Sequence, residues 1–181
     1  MSRRCRRKTL RFNMAAVKPL PSKETLREYF SYDSRGLFIR LKRSGQTGKV
    51  GAEARGHKHS GGYRYLGFQG IQFRLHRLVW QFHYGNCPNE LDHINRNKDD
   101  NRLENLRAAT LSQNHFNVGL RRDNSSGTKG LRFEQAKKLW HGRVWINGKR
   151  VSTGRSKSKA IARQKLLAFQ RLHHGEFYAK N

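Results

Sequence analysis

Thirty-nine lysines and arginines share this 181-residue chain with only twelve aspartates and glutamates, so no compact arrangement can pair off its own charge. The formal net charge is +27. A fold that tolerates this excess must leave most cations at the surface, because like charges brought together repel unless a counter-charge offsets them. Against that scarcity, the stretch LDHINRNKDDNRLENL (91–106) gathers Asp92, Asp99, Asp100 and Glu104 beside a histidine and four asparagines. The excess of cations favours a polyanionic partner, since phosphate contacts release counterions and supply sequence-independent affinity. Nucleic acid is the partner expected.

A membrane surface is the alternative for a basic chain, but the basic residues are spread over the whole length, and no run approaches the apolar length of a spanning helix. The opening MSRRCRRKTLRF has neither an apolar core nor a small-residue cleavage site, and reads as a disordered basic arm over 1–18, or as an upstream extension if translation begins at Met14. Cys5 and Cys87 form no CxxC pair, which suits a reduced cytoplasm better than a disulfide framework and rules out a zinc knuckle built from them.

The pattern of residues gives an α+β chain. Ser22 is an N-cap for a short helix striped by Leu26, Tyr29 and Phe30; GLFIRLKR reads as a strand; 44–62 is rich in glycine and cations; and 63–75 forms a β-hairpin turning at Gln69-Gly70. HRLVWQFHY has helical spacing and ends at Gly85 and Pro88. RLENLRAAT reads as short turns, followed by a helix around 111–118. The polar segment 121–129 is a linker, after which the pattern changes to strands closed by an Asn147-Gly148 turn and a helix from Ser158 to His173.

Hydrolysis of a phosphodiester needs a base for water and a cation for the charge developing on the phosphate. A hard ion takes oxygen ligands and keeps several waters, so one carboxylate and one amide carbonyl suffice. Asp92 supplies the carboxylate, with His93 next to it as base; alternation along a strand would aim the two at opposite faces unless the backbone bends there. An EF-hand begun at Asp92 would place Ile94 and Arg96 at ligand positions, and fails. Asp99, Asp100 and Glu104 are expected to cap turns or pair with Arg96, Lys98 and Arg102. His76 either anchors the fold or contacts phosphate.

HRLVW, LDHINRNKDDNRLENLR and LSQNHFN resemble the HNH endonucleases, specifically the phage-type and intron-encoded homing enzymes with a ββα-metal site, over roughly 63–118. The resemblance implies that Asp92 and Asn114 bind the cation, that His93 is the general base, and that Asn105 orients its imidazole. The spacing from His93 to Asn105 to Asn114 is that of the nicking enzymes. His115 adjoins Asn114, but neighbouring helix positions point about 100° apart, so one of the two faces the metal. Asn101, Arg102 and Asn117 would support the loop and contact phosphate.

Residues 125–178 resemble the ethylene-response-factor (APETALA-type) DNA-binding domain, a three-stranded antiparallel sheet backed by one helix. Gly130, Trp140, Gly154 and the HGEF ending carry the likeness, while Ser152 stands where that family has Trp. Alternation puts Trp140, Gly142, Val144 and Ile146 on the face toward the helix, which would meet them through Ile161 or Leu167. The other face would present Arg132, His141, Arg143, Trp145, Arg150 and Ser152 to DNA. Together these readings give a basic arm (1–18), a nuclease domain with an N-terminal hairpin extension (19–120), a linker (121–129) and a DNA-binding module (130–181). The expected protein is a monomeric DNA nickase using one divalent cation, Mg2+ or Mn2+, on double-stranded DNA in the cytoplasm of a phage host. A nonenzymatic nucleic-acid-binding protein is the alternative.

Overall fold

The computed structural model describes residues 19–43, 48–146 and 148–178; the basic arm, with Cys5 and Met14, lies outside the described residues. Helix α1 (Lys23–Tyr29) starts where Ser22 Oγ accepts the Thr25 amide at 3.1 Å, and Glu24 in its first turn suits the positive end of the helix dipole. Strand β1 (Phe30–Tyr32) pairs antiparallel with β2 (Phe38–Arg40) across a turn whose amides at Arg35 and Leu37 donate to Asp33 Oδ1. The pairing part of GLFIRLKR is thus shorter than the sequence pattern implies. Strands β3 (His57–Lys58), β4 (Arg64–Phe68) and β5 (Ile71–Arg74) form an antiparallel sheet. The β4–β5 hairpin turns at Gln69 and Gly70, both at positive φ, as the tightest hairpin turns require.

Helix α2 (Leu75–Tyr84) ends on Gly85 at φ 75, a left-handed cap that costs glycine nothing. Its inner face carries Leu75, Leu78, Val79 and Phe82 onto Leu26, Phe30, Phe38, Leu66 and Phe68, making the first core. Strand β6 (Glu90–His93) follows and pairs antiparallel with β7 (Leu106–Ala109), which a 3-10 turn at Leu103–Asn105 introduces. The expectation of turns alone across this stretch is therefore corrected: Leu106 is buried and Arg107 lies opposite Asp92, and these cross-strand contacts outweigh the weak strand preference of Ala108 and Ala109. Helix α3 (Leu111–Asn117) opens with a capping box between Thr110 and Gln113.

Strands β8 (Leu131–Glu134), β9 (Leu139–Ile146) and β10 (Lys149–Ser156) form a sheet of order β10-β9-β8, packed against α4 (Lys159–His174), which Ser158 caps. The chain then makes a 3-10 turn at Gly175–Phe177. Leu131, Val144, Ala162 and Leu166 form the second core, flanked by Trp140, Ile146 and Phe169. On β9, Trp140, Val144 and Ile146 pack toward the helix as expected, but His141 is buried as well, and the helix meets the sheet through Ala162 and Leu166, leaving Ile161 exposed. Gly130, at φ 85, accepts the Arg143 amide at 2.8 Å, and a Cβ there would collide with the Arg143 carbonyl. Between the cores, 121–129 is tied down: Ser126 and Thr128 are buried, and the Lys129 ammonium donates to the carbonyls of His115, Phe116 and Val118 at the end of α3. Among the described residues, no helix is long and apolar enough to cross a membrane.

Leu166, fully buried between α4 and the sheet, makes the second core testable. Leu166→Ala is expected to cost about 2–5 kcal/mol of unfolding free energy, measured by urea titration, whereas Leu166→Met costs under about 1.5 kcal/mol.

Candidate active site

Register creates the site. Pairing of β6 with β7 sets Asp92 opposite Arg107 and His93 opposite Leu106. Arg107 Nε and Nη2 both donate to Asp92 Oδ2, at 2.9 and 2.7 Å. From α3, Asn117 Nδ2 lies 3.0 and 2.9 Å from Asp92 Oδ1 and Oδ2 and donates to the His93 carbonyl at 2.8 Å. One turn earlier, Asn114 Nδ2 donates to Glu90 Oε2 at 3.0 Å, which leaves its amide oxygen as the available end.

The strand stops at His93. The Arg96 amide donates back to the His93 carbonyl at 2.8 Å, and Arg96 itself is left-handed at φ 66. This bend lets adjacent residues serve one space: Asp92 and His93 line the same cleft of about 400 Å3, with Glu90, Arg96, Lys98 and Asn114. His115 is exposed on the same rim.

The His93 ring is buried, with Nε2 3.2 Å from Asn101 Oδ1. Asn101 Nδ2 donates to the Asp99 carbonyl at 3.2 Å, so its oxygen faces the imidazole. Nε2 therefore carries the proton and Nδ1 the lone pair. His76 meets this ring edge-on at 5.1 Å, and Tyr63 lies 5.2 Å from His76. Burial lowers the His93 pKa and Lys98 adds to the shift, while the Asn101 bond and the charges of Asp92 and Asp100 oppose it. His76 is pushed down to about 3, by burial first and then by His93, Arg74 and Arg77, and its Nδ1 has no partner among the described residues. Both rings are neutral at neutral pH.

Asn105 sits elsewhere than expected. Its Nδ2 donates to the Asp100 carbonyl at 2.8 Å and its Oδ1 accepts the Asn95 amide at 2.9 Å, so it clamps the 95–100 loop, and Asn101 is the residue that touches His93. Asp99 ties this loop to the β3–β4 hairpin through Arg64 and Lys58, Asp100 pairs with Arg102, and Glu104 also pairs with Arg102. Glu90 and Arg107 escaped the sequence reading. Their signal was the alternation ELDH against LRAA, visible only once 106–109 is taken as a strand.

Among the described residues no group of three or more His, Cys, Asp or Glu side chains is placed to hold a metal. The donors on offer are the Asp92 carboxylate and the Asn114 carbonyl oxygen in an open cleft. That pair fits a hard cation retaining most of its waters and does not fit a soft or closed tetrahedral site.

On the C-terminal sheet, Glu134 Oε1 gathers His141 Nδ1 at 2.6 Å, Arg143 Nη2 at 2.8 Å and Arg132 Nη2 at 3.4 Å, while Oε2 takes Arg155 Nε at 3.0 Å. These partners, His141 foremost, hold the Glu134 carboxyl down to about 2. His141 also meets Ser152 Oγ at 2.8 Å and is buried under this network, so it is not an outward-facing group. Trp145 is 56% exposed, with the Arg150 guanidinium 5.1 Å from its ring centroid.

Residues 73–116 match the HNH endonuclease family model. Over 78 residues the chain is 36% identical to Protein 3.8 of Escherichia phage T7, covering 42% of this chain and 64% of that protein. The chain thus spans less than two thirds of the length of that curated relative. No solved structure matches. The family match ends before the C-terminal module, and the comparisons do not support its resemblance to the ethylene-response-factor domain.

His76 gives the site a pH signature. Its folded pKa of about 3 lies below an unfolded value near 6.5, so across that window the unfolded chain binds the extra proton and stability falls as pH falls. Chemical denaturation at stepped pH is expected to show this acid loss in the parent and a shallower slope in His76→Phe.

Proposed function

We propose, from the HNH endonuclease domain at residues 73–116, that the protein is a metal-dependent endonuclease of the homing type that nicks double-stranded DNA. The observation carrying this reading is the convergence of Asp92, His93 and Asn114 from strand, strand end and helix onto one cleft. In the reaction, His93 Nδ1 takes a proton from water as its oxygen attacks phosphorus, the bond to the 3′ oxygen breaks, and that oxygen takes a proton from a solvent water, leaving 5′-phosphate and 3′-hydroxyl ends. Asn101 keeps the proton on Nε2 and so keeps Nδ1 basic. Asp92 and Asn114 would hold the divalent cation, Mg2+ or Mn2+, and that cation would supply stabilisation of charge on the phosphate and the leaving oxygen. Asn105 acts by fixing the loop that carries Asn101.

Arg96 and Lys98 at the cleft supply phosphate contacts, and Lys98 is steadied over the Tyr63 ring at 4.5 Å. On the C-terminal sheet, Arg132, Arg143, Trp145, Arg150 and Ser152 form a DNA-facing surface in which Glu134 presets the arginines, and the buried His141 supports it from beneath through Glu134 and Ser152. Exposure of Trp145 beside Arg150 supports contact with base or sugar. One active site per chain gives a nick, and a monomer acting in the host cytoplasm is the working state.

With supercoiled plasmid and Mg2+, the parent is expected to produce open circles. His93→Ala should lose roughly 10²–10⁴-fold in nicking rate, yet shift DNA in a gel as the parent does. Binding without nicking by the parent, under every divalent cation tried, would instead indicate a nucleic-acid-binding protein. Because His93 must be neutral and burial lowers its pKa, the acid limb of the rate profile should have its midpoint below about pH 6.5. Arg150→Ala should weaken binding to all sequences alike and reduce the slope of log affinity against log salt by about one.

A further inference from the structure

The nuclease ribbon does not hold its own carboxylate unaided. Arg107, which spends Nε and Nη2 on Asp92 Oδ2, donates Nη1 to the Glu176 carbonyl at 2.7 Å. Its guanidinium carbon lies 3.8 Å from the centroid of the buried Phe177 ring, well inside cation–π range. Glu176 and Phe177 belong to the 3-10 turn that follows α4, far along the chain from the catalytic ribbon. Just before it, the His174 ring stacks on Phe116 of α3 at 3.7 Å and 7°, pinning the end of α4 beside Asn117. The Arg107 and Asp92 side chains are only 13% and 10% exposed, so water does little to screen what the turn does to them.

An arginine left to itself prefers a fork in which each carboxylate oxygen receives its own N–H. Here the third edge is taken by Glu176 and the face by Phe177, and the remaining edge meets Oδ2 alone. Among the described residues Oδ1 keeps a single protein partner, the Asn117 amide. We propose that the C-terminal turn Gly175–Phe177 is a positioning device for the active site: by fixing Arg107 it leaves Asp92 Oδ1 available to the divalent cation. Arg107 and Phe177 are positioning residues, acting through Asp92. The inference rests on the nuclease reading and extends it, since the C-terminal module becomes a part of the metal site as well as a DNA-binding attachment.

The test is Mn2+ binding by the full chain without DNA, followed by the paramagnetic signal of free Mn2+, with plasmid nicking as a second readout. Phe177→Leu retains apolar bulk but removes the ring face. It is expected to weaken Mn2+ binding by about tenfold, within the range for groups that orient metal ligands, and to restore nicking as Mn2+ is raised. In an Arg107→Gln background the same substitution should change Mn2+ affinity less than about twofold, because the coupling runs through Arg107. Unchanged affinity in Phe177→Leu, or an equal loss in both backgrounds, overturns the relay while leaving a parent that still nicks as a nuclease. A parent that neither binds Mn2+ nor nicks overturns both.

Discussion

The Asp92–Arg107 pair is the contact on which the rest of the site depends. It exists because β6 and β7 pair in one register; a slip of one residue would turn Asp92 away from Arg107 and exchange the faces of the whole ribbon. As a stabilising term it is modest, since two charges this buried give back in desolvation much of what they gain by attraction. Its value is geometric. Asn117 docks α3 onto the carboxylate and onto the His93 carbonyl together, and Glu176 and Phe177 dock the end of the chain onto the guanidinium. Three segments distant in sequence are registered against a single ion pair.

Scarcity of acids explains why so few groups do so much. Glu53 serves Arg35 and Arg55, Asp99 serves Lys58 and Arg64, and Glu134 serves three arginines and a histidine. Each of these carboxylates joins separate strands or loops, so with few acids to spend the chain uses them as junctions. Exposed pairs contribute little energy singly, but a carboxylate shared among several guanidiniums fixes their directions. The cations left over remain outside and available to a polyanion.

Legibility followed the range of the interactions. Ser22, Gly85, the Gln69-Gly70 turn and Ser158 act within a few residues, and the elements they bound lie where the sequence places them. β7 was missed because Leu-Arg-Ala-Ala has little strand character of its own and is extended only through its pairing with β6. Asp92, His93 and Asn114 are named by the resemblance of their motifs, and they line one cleft. That Asn101 and not Asn105 touches the imidazole could not be foreseen, since it depends on how a loop closed by Asn105 delivers Asn101 to that ring. The contacts of Glu176 and Phe177 with Arg107 depend on how the two cores meet, and no periodicity encodes that.

The surroundings of His93 bear on its proposed role as a base. Its partner is an amide, which orients the ring but carries no charge to stabilise an imidazolium, unlike the carboxylate behind the histidine of a hydrolase triad. Burial, to which the neighbouring rings of His76 and Tyr63 add, outweighs the opposing charges of Asp92 and Asp100, so its pKa lies below the ordinary value. A weak base accepts a proton efficiently only from water whose own acidity has been raised. Raising that acidity is what a divalent cation contributes. In the proposed reaction the neutral, amide-oriented histidine and the restrained carboxylate beside it would be complementary requirements, and weakening the hold on Asp92 should be felt in the demand for metal before it is felt in the chemistry of His93.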